Sequence, residues 1–319
     1  MHFADSHPHS FTLEYTHESP RLSAGLTFSW RAPHQVLLDQ ALQIARDADT
    51  IVAFVGLNAW LEGEEMPLHV PGFQGGDRTD LALPEAQNKL LEALAKMGKP
   101  MIIVLETGSA VTLSEKAQTA NAVLEAWYPG ELGGRAIAET LGGQNNPSGR
   151  LPITFYASVD QLPSFGDYSM KNRTYRYFTG KPAYPFGYGL SYTSFHYSAL
   201  KLNTEHLQAA REQTFTVKVK NMGKLAGDEV IQAYLTYPQQ PSAPVHALKG
   251  FQRVHLAPNE ETTVTFTLSS RDLALVGEDG TYRVTPGMYE LWVGGGQPGT
   301  TAAGASGSFT IQGTQTLPR

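Results

Sequence analysis

Three glutamates, Glu62, Glu64 and Glu65, fall in the short run Glu62-Gly63-Glu64-Glu65, just after the apolar, β-rich segment Thr50–Gly56. Asp77 and Arg78 follow Gly75-Gly76 and lead into Leu81-Ala82-Leu83-Pro84. A buried strand of an α/β domain delivers its following loop to the edge where such domains place their chemistry. Carboxylates crowded together repel one another when ionised, so at least one is expected to keep its proton to higher pH. A carboxyl still protonated near neutrality can act as a general acid, which cleavage of a glycosidic bond requires. The same spacing equally describes a solvated acidic loop.

The surrounding pattern says what must position these residues. Leu37, Leu38, Ala41, Leu42, Ile44 and Ala45 recur with helical period before the first strand. Pro84 suits the start of a second helix, with Leu90, Leu91 and Leu94 on one face. The strand Met101–Leu105, a helix from Gly108-Ser109 to about Thr119, the strand Ala122–Trp127 and a helix over Arg135–Leu141 continue the alternation. This predicts a parallel sheet covered on both faces. A strand is expected over Leu151–Tyr156, then a long aromatic stretch to Thr193 that packs on its own side chains or against another surface. Beyond Phe195, the segments 215–220, 229–236, 262–268 and 288–293 alternate apolar and polar residues between turn signals, predicting an immunoglobulin- or fibronectin III-like sandwich. The Gly-rich region 294–308 reads as a loose loop, and residues 10–30 as two short antiparallel strands.

Composition removes several classes of function. A net charge of −6 argues against a nucleic-acid partner, and no apolar run is long enough to span a membrane. With no cysteine there is no disulfide, thiolate nucleophile or Cys-zinc site. The ten histidines show no ligand spacing, so neither a metal nor another cofactor is expected. The N-terminus has no basic-then-apolar signal pattern, which leaves the compartment open.

Several motifs together resemble glycoside hydrolase family 3. They are Gly56-Leu-Asn-Ala-Trp-Leu-Glu-Gly-Glu-Glu-Met66 running on to Gly76-Asp-Arg-Thr-Asp-Leu-Ala-Leu-Pro84, Ala126-Trp-Tyr-Pro-Gly130 with Gly133-Gly134, Asn146-Pro-Ser-Gly-Arg-Leu-Pro152, and Tyr184-Pro-Phe-Gly-Tyr-Gly-Leu-Ser-Tyr192. Asn221–Val230 and Leu248–Arg253 are similar to the family's fibronectin III-like domain. The wording Leu-Glu-Gly-Glu-Glu-Met is most like bacterial β-glucosidase and β-xylosidase members. The resemblance implies an α/β-sandwich domain over 34–193 and a fibronectin III-like domain over 194–319. Residues 1–33 resemble the last strands of the sugar-binding module that some members insert.

The implied activity is a retaining exo-β-glycosidase acting on β-linked glucosides or xylosides. Glu62 best matches the family's acid/base position, with Glu64 as runner-up and Glu65 behind it. The family's nucleophile is an aspartate on an N-terminal (β/α)8 barrel. The residues before Thr50 are too few for the roughly 250 that a barrel takes. Retaining hydrolysis needs two carboxyls about 5–5.5 Å apart, so the alternative is a non-catalytic accessory unit that binds sugar or a separate barrel chain. Trp60 and Met66 are candidates for an apolar platform beside a sugar, or for surface covered by such a barrel. Asp77 and Arg78 are expected to pair and hold the loop. Ser109 lacks a GxSxG elbow, and Gly130–Gly134 lacks the spacing of a phosphate loop. Arg173 and Arg176, set among aromatics, reach toward a partner or lie on a solvated face. An aromatic surface left uncovered over 57–75 and 165–192 predicts self-association, most simply as a symmetric homodimer.

Overall fold

The computed structural model describes residues 10–16, 33–240 and 243–318, and the chain divides into two compact units at Asp47. In the first unit, α1 (His34–Arg46) begins after Pro33 and ends with Arg46 in its last turn, where a cation complements the helix dipole. Residues 10–16 hold no strand, and the rest of the strand pair expected over 10–30 lies outside the described residues.

The second unit begins with β1 (Ile51–Gly56) and a small antiparallel sheet of β2 (His69–Val70), β3 (Phe73–Gln74) and β4 (Asp77–Arg78). Then follow α2 (Glu85–Ala95), β5 (Met101–Glu106), β6 (Ala122–Glu125) and α3 (Gly133–Leu141). Strands β1, β5 and β6 form a parallel sheet in the order β1-β5-β6, with Ile51 opposite Met101 and Ile102 opposite Ala122. The middle strand is the most deeply buried: Met101, Ile103, Val104 and Leu105 are all in the core. On the edge strand β1, Ile51, Ala53 and Val55 are buried while Val52 and Phe54 are exposed, so coverage of both faces is not uniform. Leu91 and Leu94 of α2 and Ile137 of α3 supply buried helix positions.

Two expected elements take another form. Only Ala117–Thr119 of the predicted helix over 108–119 is helical, as one 3₁₀ turn. Val111 and Leu113 are buried at a spacing of two, and Thr112 bridges to Ala82, so this backbone is extended. The expected strand Leu151–Tyr156 is reduced to a single bridge, Phe155 to Tyr184. Pro152 has no amide to donate and breaks the ladder there.

The aromatic stretch contains a 3₁₀ turn at Val159–Gln161 and one α-helical turn, α4 (Thr174–Tyr177). Tyr175 stacks on Phe186 at 4.2 Å, meets Tyr234 edge-on, and accepts a hydrogen bond from the Leu248 amide at 3.1 Å. It therefore packs both on itself and on the sandwich. Phe165 and Tyr168 instead stand out, 94% and 91% exposed.

The sandwich contains β7 (Phe195–Leu202), β8 (His206–Gln208), β9 (Gln213–Asn221), β10 (Gly227–Thr236), β11 (Ala247–Leu256), β12 (Glu261–Leu268), β13 (Leu275–Val276), β14 (Tyr282–Val284), β15 (Gly287–Gly294), β16 (Gly304–Gln312) and β17 (Gln315–Leu317), with a short helix α5 (Ser270–Leu273). A five-stranded sheet, β11-β10-β15-β16-β8, contributes Ile231, Leu235, Tyr289, Leu291, Phe309 and Ile311 to one core. The sheet β12-β9-β7 meets it with Phe215, Val217, Val219 and Val264. The end of the Gly-rich region is not a loop but the start of β16, paired along its length with β15. Its glycines permit close approach: a Cβ on Gly304 would come within 2.4 Å of the Trp292 ring.

A buried ion pair links the segment after α3 to the sandwich. Arg150 donates to Glu229 Oε2 at 2.7 Å and to the carbonyls of Ser148, Gly149 and Gly295, while Tyr197 donates to Glu229 Oε1 at 2.6 Å. The two charged side chains are only 9% and 3% exposed.

Candidate active site

The site forms where β1, β5 and β6 end. The turn after β1 is held by Asn58: its side chain accepts from the Trp60 and Leu61 amides, and its carbonyl accepts from the Leu61 and Glu62 amides. Gln87 of α2 clamps the end of β1 through both the amide and the carbonyl of Gly56, each at 2.8 Å. Gly76, at φ +95°, lies so near the Gly63 carbonyl that a Cβ would be 1.3 Å from that oxygen. Only glycine combines that backbone angle with that approach. Gly76→Ala is therefore expected to cost about 1–3 kcal/mol by overpacking. It should also unprotect the Met66 amide, which bonds to the Gly75 carbonyl at 2.9 Å; hydrogen exchange of that amide checks this.

The predicted crowding of carboxylates does not occur. Glu62 turns inward, whereas Glu64 and Glu65 are exposed. Three donors from the ends of β5 and β6 converge on Glu62. The Ser109 hydroxyl donates to Oε1, the Tyr128 hydroxyl to Oε2, and the Gly108 amide to Oε2 at 3.0 Å. Gly108 is needed here, since a Cβ would lie 2.7 Å from the Tyr128 ring and 3.0 Å from Glu62 Oε2. Arg78 donates to the Ser109 hydroxyl at 2.9 Å and to the carbonyls of Asp80 and Ala82. The lone pair of Ser109 is thus turned to Arg78 and its proton to Glu62. Burial pushes the Tyr128 hydroxyl up to about 12, and its bond to the Glu62 carboxylate adds to the shift. Burial also lowers the Arg78 guanidinium, against the pull of Glu62 and Asp80.

Asp77 and Arg78 do not form the expected pair. They are neighbours on β4, where successive side chains point to opposite faces; Asp77 is exposed while Arg78 turns to Ser109. Trp60 is 78% exposed. Met66 is partly buried with its sulfur against Gly63, beneath the loop. Ser109 serves as a ligand of Glu62, which leaves its hydroxyl engaged on both sides. Arg173 folds back on its own loop, donating to the carbonyls of Ser164, Asp167 and Ser169, and Arg176 lies over the Tyr177 ring at 5.5 Å. Tyr128 lies within the Ala126–Gly130 motif without being singled out there, and Thr107 and Glu125 carry no signal in a single sequence beyond their place at the ends of parallel strands. Among the described residues no cluster of His, Asp and Glu could hold a metal ion, and no helix is long and apolar enough to cross a membrane.

Residues 10–192, more than half of the chain, match the model of the glycosyl hydrolase family 3 C-terminal domain, and residues 229–297 match a fibronectin type III-like domain. The chain belongs to glycoside hydrolase family 3. Within family 3 it is 42% identical over 240 residues to a xylan 1,4-β-xylosidase of Xylanibacter ruminicola, covering 75% of this chain and 28% of that protein. It is 38% identical over 277 residues to the periplasmic β-glucosidase of Salmonella typhimurium, covering 83% of this chain and 35% of that one. Among solved structures, β-glucosidase from Kluyveromyces marxianus in complex with glucose superposes with a TM-score of 0.77 at 30% identity, over 91% of this chain and 35% of that chain. The chain thus spans about a third of the length of these family 3 relatives.

Proposed function

We propose that this chain supplies the proton-transferring carboxyl, Glu62, of a retaining exo-β-glycosidase acting on terminal β-linked glucose or xylose. The observation that carries the reading is the convergence of Gly108, Ser109 and Tyr128 on Glu62 alone of the three loop glutamates. Names of family 3 relatives supply the substrate class: β-glucosidase and β-xylosidase. Glu62 protonates the departing glycosidic oxygen and then takes a proton from the attacking water. The donors around it, with Arg78 behind Ser109, fix the carboxyl in one orientation at the strand ends.

On this reading a barrel domain or a second copy of the chain supplies the second carboxyl that retention requires. An accessory role, in which the chain acts only with a barrel domain or a second copy, is favoured by the exposure of Trp60, Phe165 and Tyr168. Hydrolysis of nitrophenyl β-glucoside and β-xyloside by the purified chain tests the reading, with light scattering on the same sample. The expected result is self-association with no turnover by the chain alone, and turnover when a family 3 barrel domain is supplied. Turnover by the chain alone would place the second carboxyl within it. A sharp monomer peak at every concentration would count against the uncovered surface, and no turnover with any barrel would overturn the enzymatic reading.

A further inference from the structure

An unassigned acid lies behind Glu62. Glu125 closes β6, and its Oε2 is buried without a hydrogen-bond partner. Its Oε1 accepts from the Trp127 amide at 3.1 Å and lies 3.3 Å from the Thr107 hydroxyl. Thr107 is fully buried, and its hydroxyl also donates to the Ser109 carbonyl at 2.8 Å. Trp127 sits at φ +55°, a conformation that bulky residues avoid unless something holds them there. The next residue is Tyr128. Both residues whose hydroxyls reach Glu62 therefore trace back to one carboxyl, Ser109 through Thr107 and Tyr128 through the Trp127 turn.

We propose that Glu125 is a positioning residue that holds Ser109 and Tyr128 from behind so that both meet Glu62. The inference deepens the proposed role of Glu62, and depends on that reading only for its consequence in activity. The proton count supports a neutral Glu125. The Thr107 hydroxyl has one proton and two acceptors in reach, with the Ser109 carbonyl the nearer. Shared with that nearer carbonyl, the Thr107 proton supports Glu125 Oε1 only weakly, which leaves the Trp127 amide as the main donor to this carboxyl and Oε2 without one. Burial pushes Glu125 up to about 7; its bonds from Trp127 and Thr107 oppose the shift, and the charge of Glu62 adds to it. Glu62 is the charged neighbour acting on Glu125, and Arg78, which itself interacts with Glu62, Asp80 and Tyr128, stands on the far side of Ser109.

Carbon-13 NMR of the chain labelled at glutamate side-chain carboxyls tests this, with the Glu62 signal identified by its loss in Glu62→Gln. In the parent chain the Glu62 signal should show an inflection near pH 7 that coincides with titration of Glu125. Glu125→Gln, which keeps an oxygen for the Trp127 amide, should abolish that inflection and leave the Glu62 signal otherwise in place. Glu125→Ala and Thr107→Val should each move the Glu62 signal toward those of the exposed Glu64 and Glu65. A Glu62 signal that is the same in all these variants overturns the proposal, as does loss of the inflection without any movement in Glu125→Ala and Thr107→Val. Thr107→Val keeps the test open if Glu125→Ala fails to fold. Failure of the acid/base reading would look different: these spectral changes would occur, but Glu62→Gln would leave barrel-supplied turnover intact.

Discussion

Glu229→Ala is expected to lower the stability of the chain by about 3–5 kcal/mol, the range for breaking a buried ion pair by removing one partner. The loss arises less from the missing attraction than from what remains. Arg150 would stay in its buried place with its charge uncompensated, and Tyr197 would lose the acceptor of a 2.6 Å hydrogen bond. Burial already pushes the Glu229 carboxyl upward even though Arg150 and Tyr197 favour its charge, so desolvation is the largest influence at this site. The pair is therefore a device that joins the Arg150 segment to the sandwich rather than a net source of stability. The double replacement Arg150→Met with Glu229→Leu should recover most of the loss, because it removes both buried charges and keeps volume. Urea unfolding monitored by tryptophan fluorescence checks both. A double variant as unstable as Glu229→Ala would show that the remaining Arg150 bonds, to the carbonyls of Ser148, Gly149 and Gly295, matter more than the charge balance.

Glu62→Gln is expected to lower barrel-supplied hydrolysis of an unactivated β-glycoside by about 10²–10⁴-fold, the usual contribution of a positioned general acid and base. A Gln oxygen in the Oε2 place can still accept from Gly108 and Tyr128 while its amide nitrogen donates to the Ser109 hydroxyl, so the loop should keep its form and the loss should fall on proton transfer. A nitrophenolate leaving group needs little protonation, and its departure should suffer less than that of a sugar. Azide, which needs no general base, should then restore turnover and give a glycosyl azide. Glu64→Gln, on an exposed side chain, should leave every rate unchanged. Equal losses in Glu62→Gln and Glu64→Gln, or no rescue by azide, would remove Glu62 from the acid/base role. Rates with the two leaving groups, measured side by side with and without azide, decide it.

The alternation of residues along the chain determined the architecture. The helical period of 37–45 and of 90–94, the apolar runs 50–56 and 101–105, and the period-two segments after Phe195 each correspond to an observed element, because each alternation states which side chains must leave water. The motif around Glu62 likewise marked the loop on which Gly108, Ser109 and Tyr128 converge. Local pattern was misleading where a contact distant in sequence decided the backbone. The stretch 111–113 is extended because Thr112 meets Ala82, and residues 304–312 form a strand because β15 offers a partner and Gly304 lets it close over Trp292. Asp77 and Arg78 parted because strand geometry sends neighbours to opposite faces.

Which glutamate is held, and by what, belonged to the tertiary structure alone. Ser109 and Tyr128 lie 47 and 66 residues from Glu62, and only parallel pairing of β1, β5 and β6 brings their strand ends to one edge. Burial had the same character for Glu125. A glutamate at the end of a strand reads as an ordinary surface acid until the sheet closes around it, withdraws water, and leaves its proton as the least costly way to stay there.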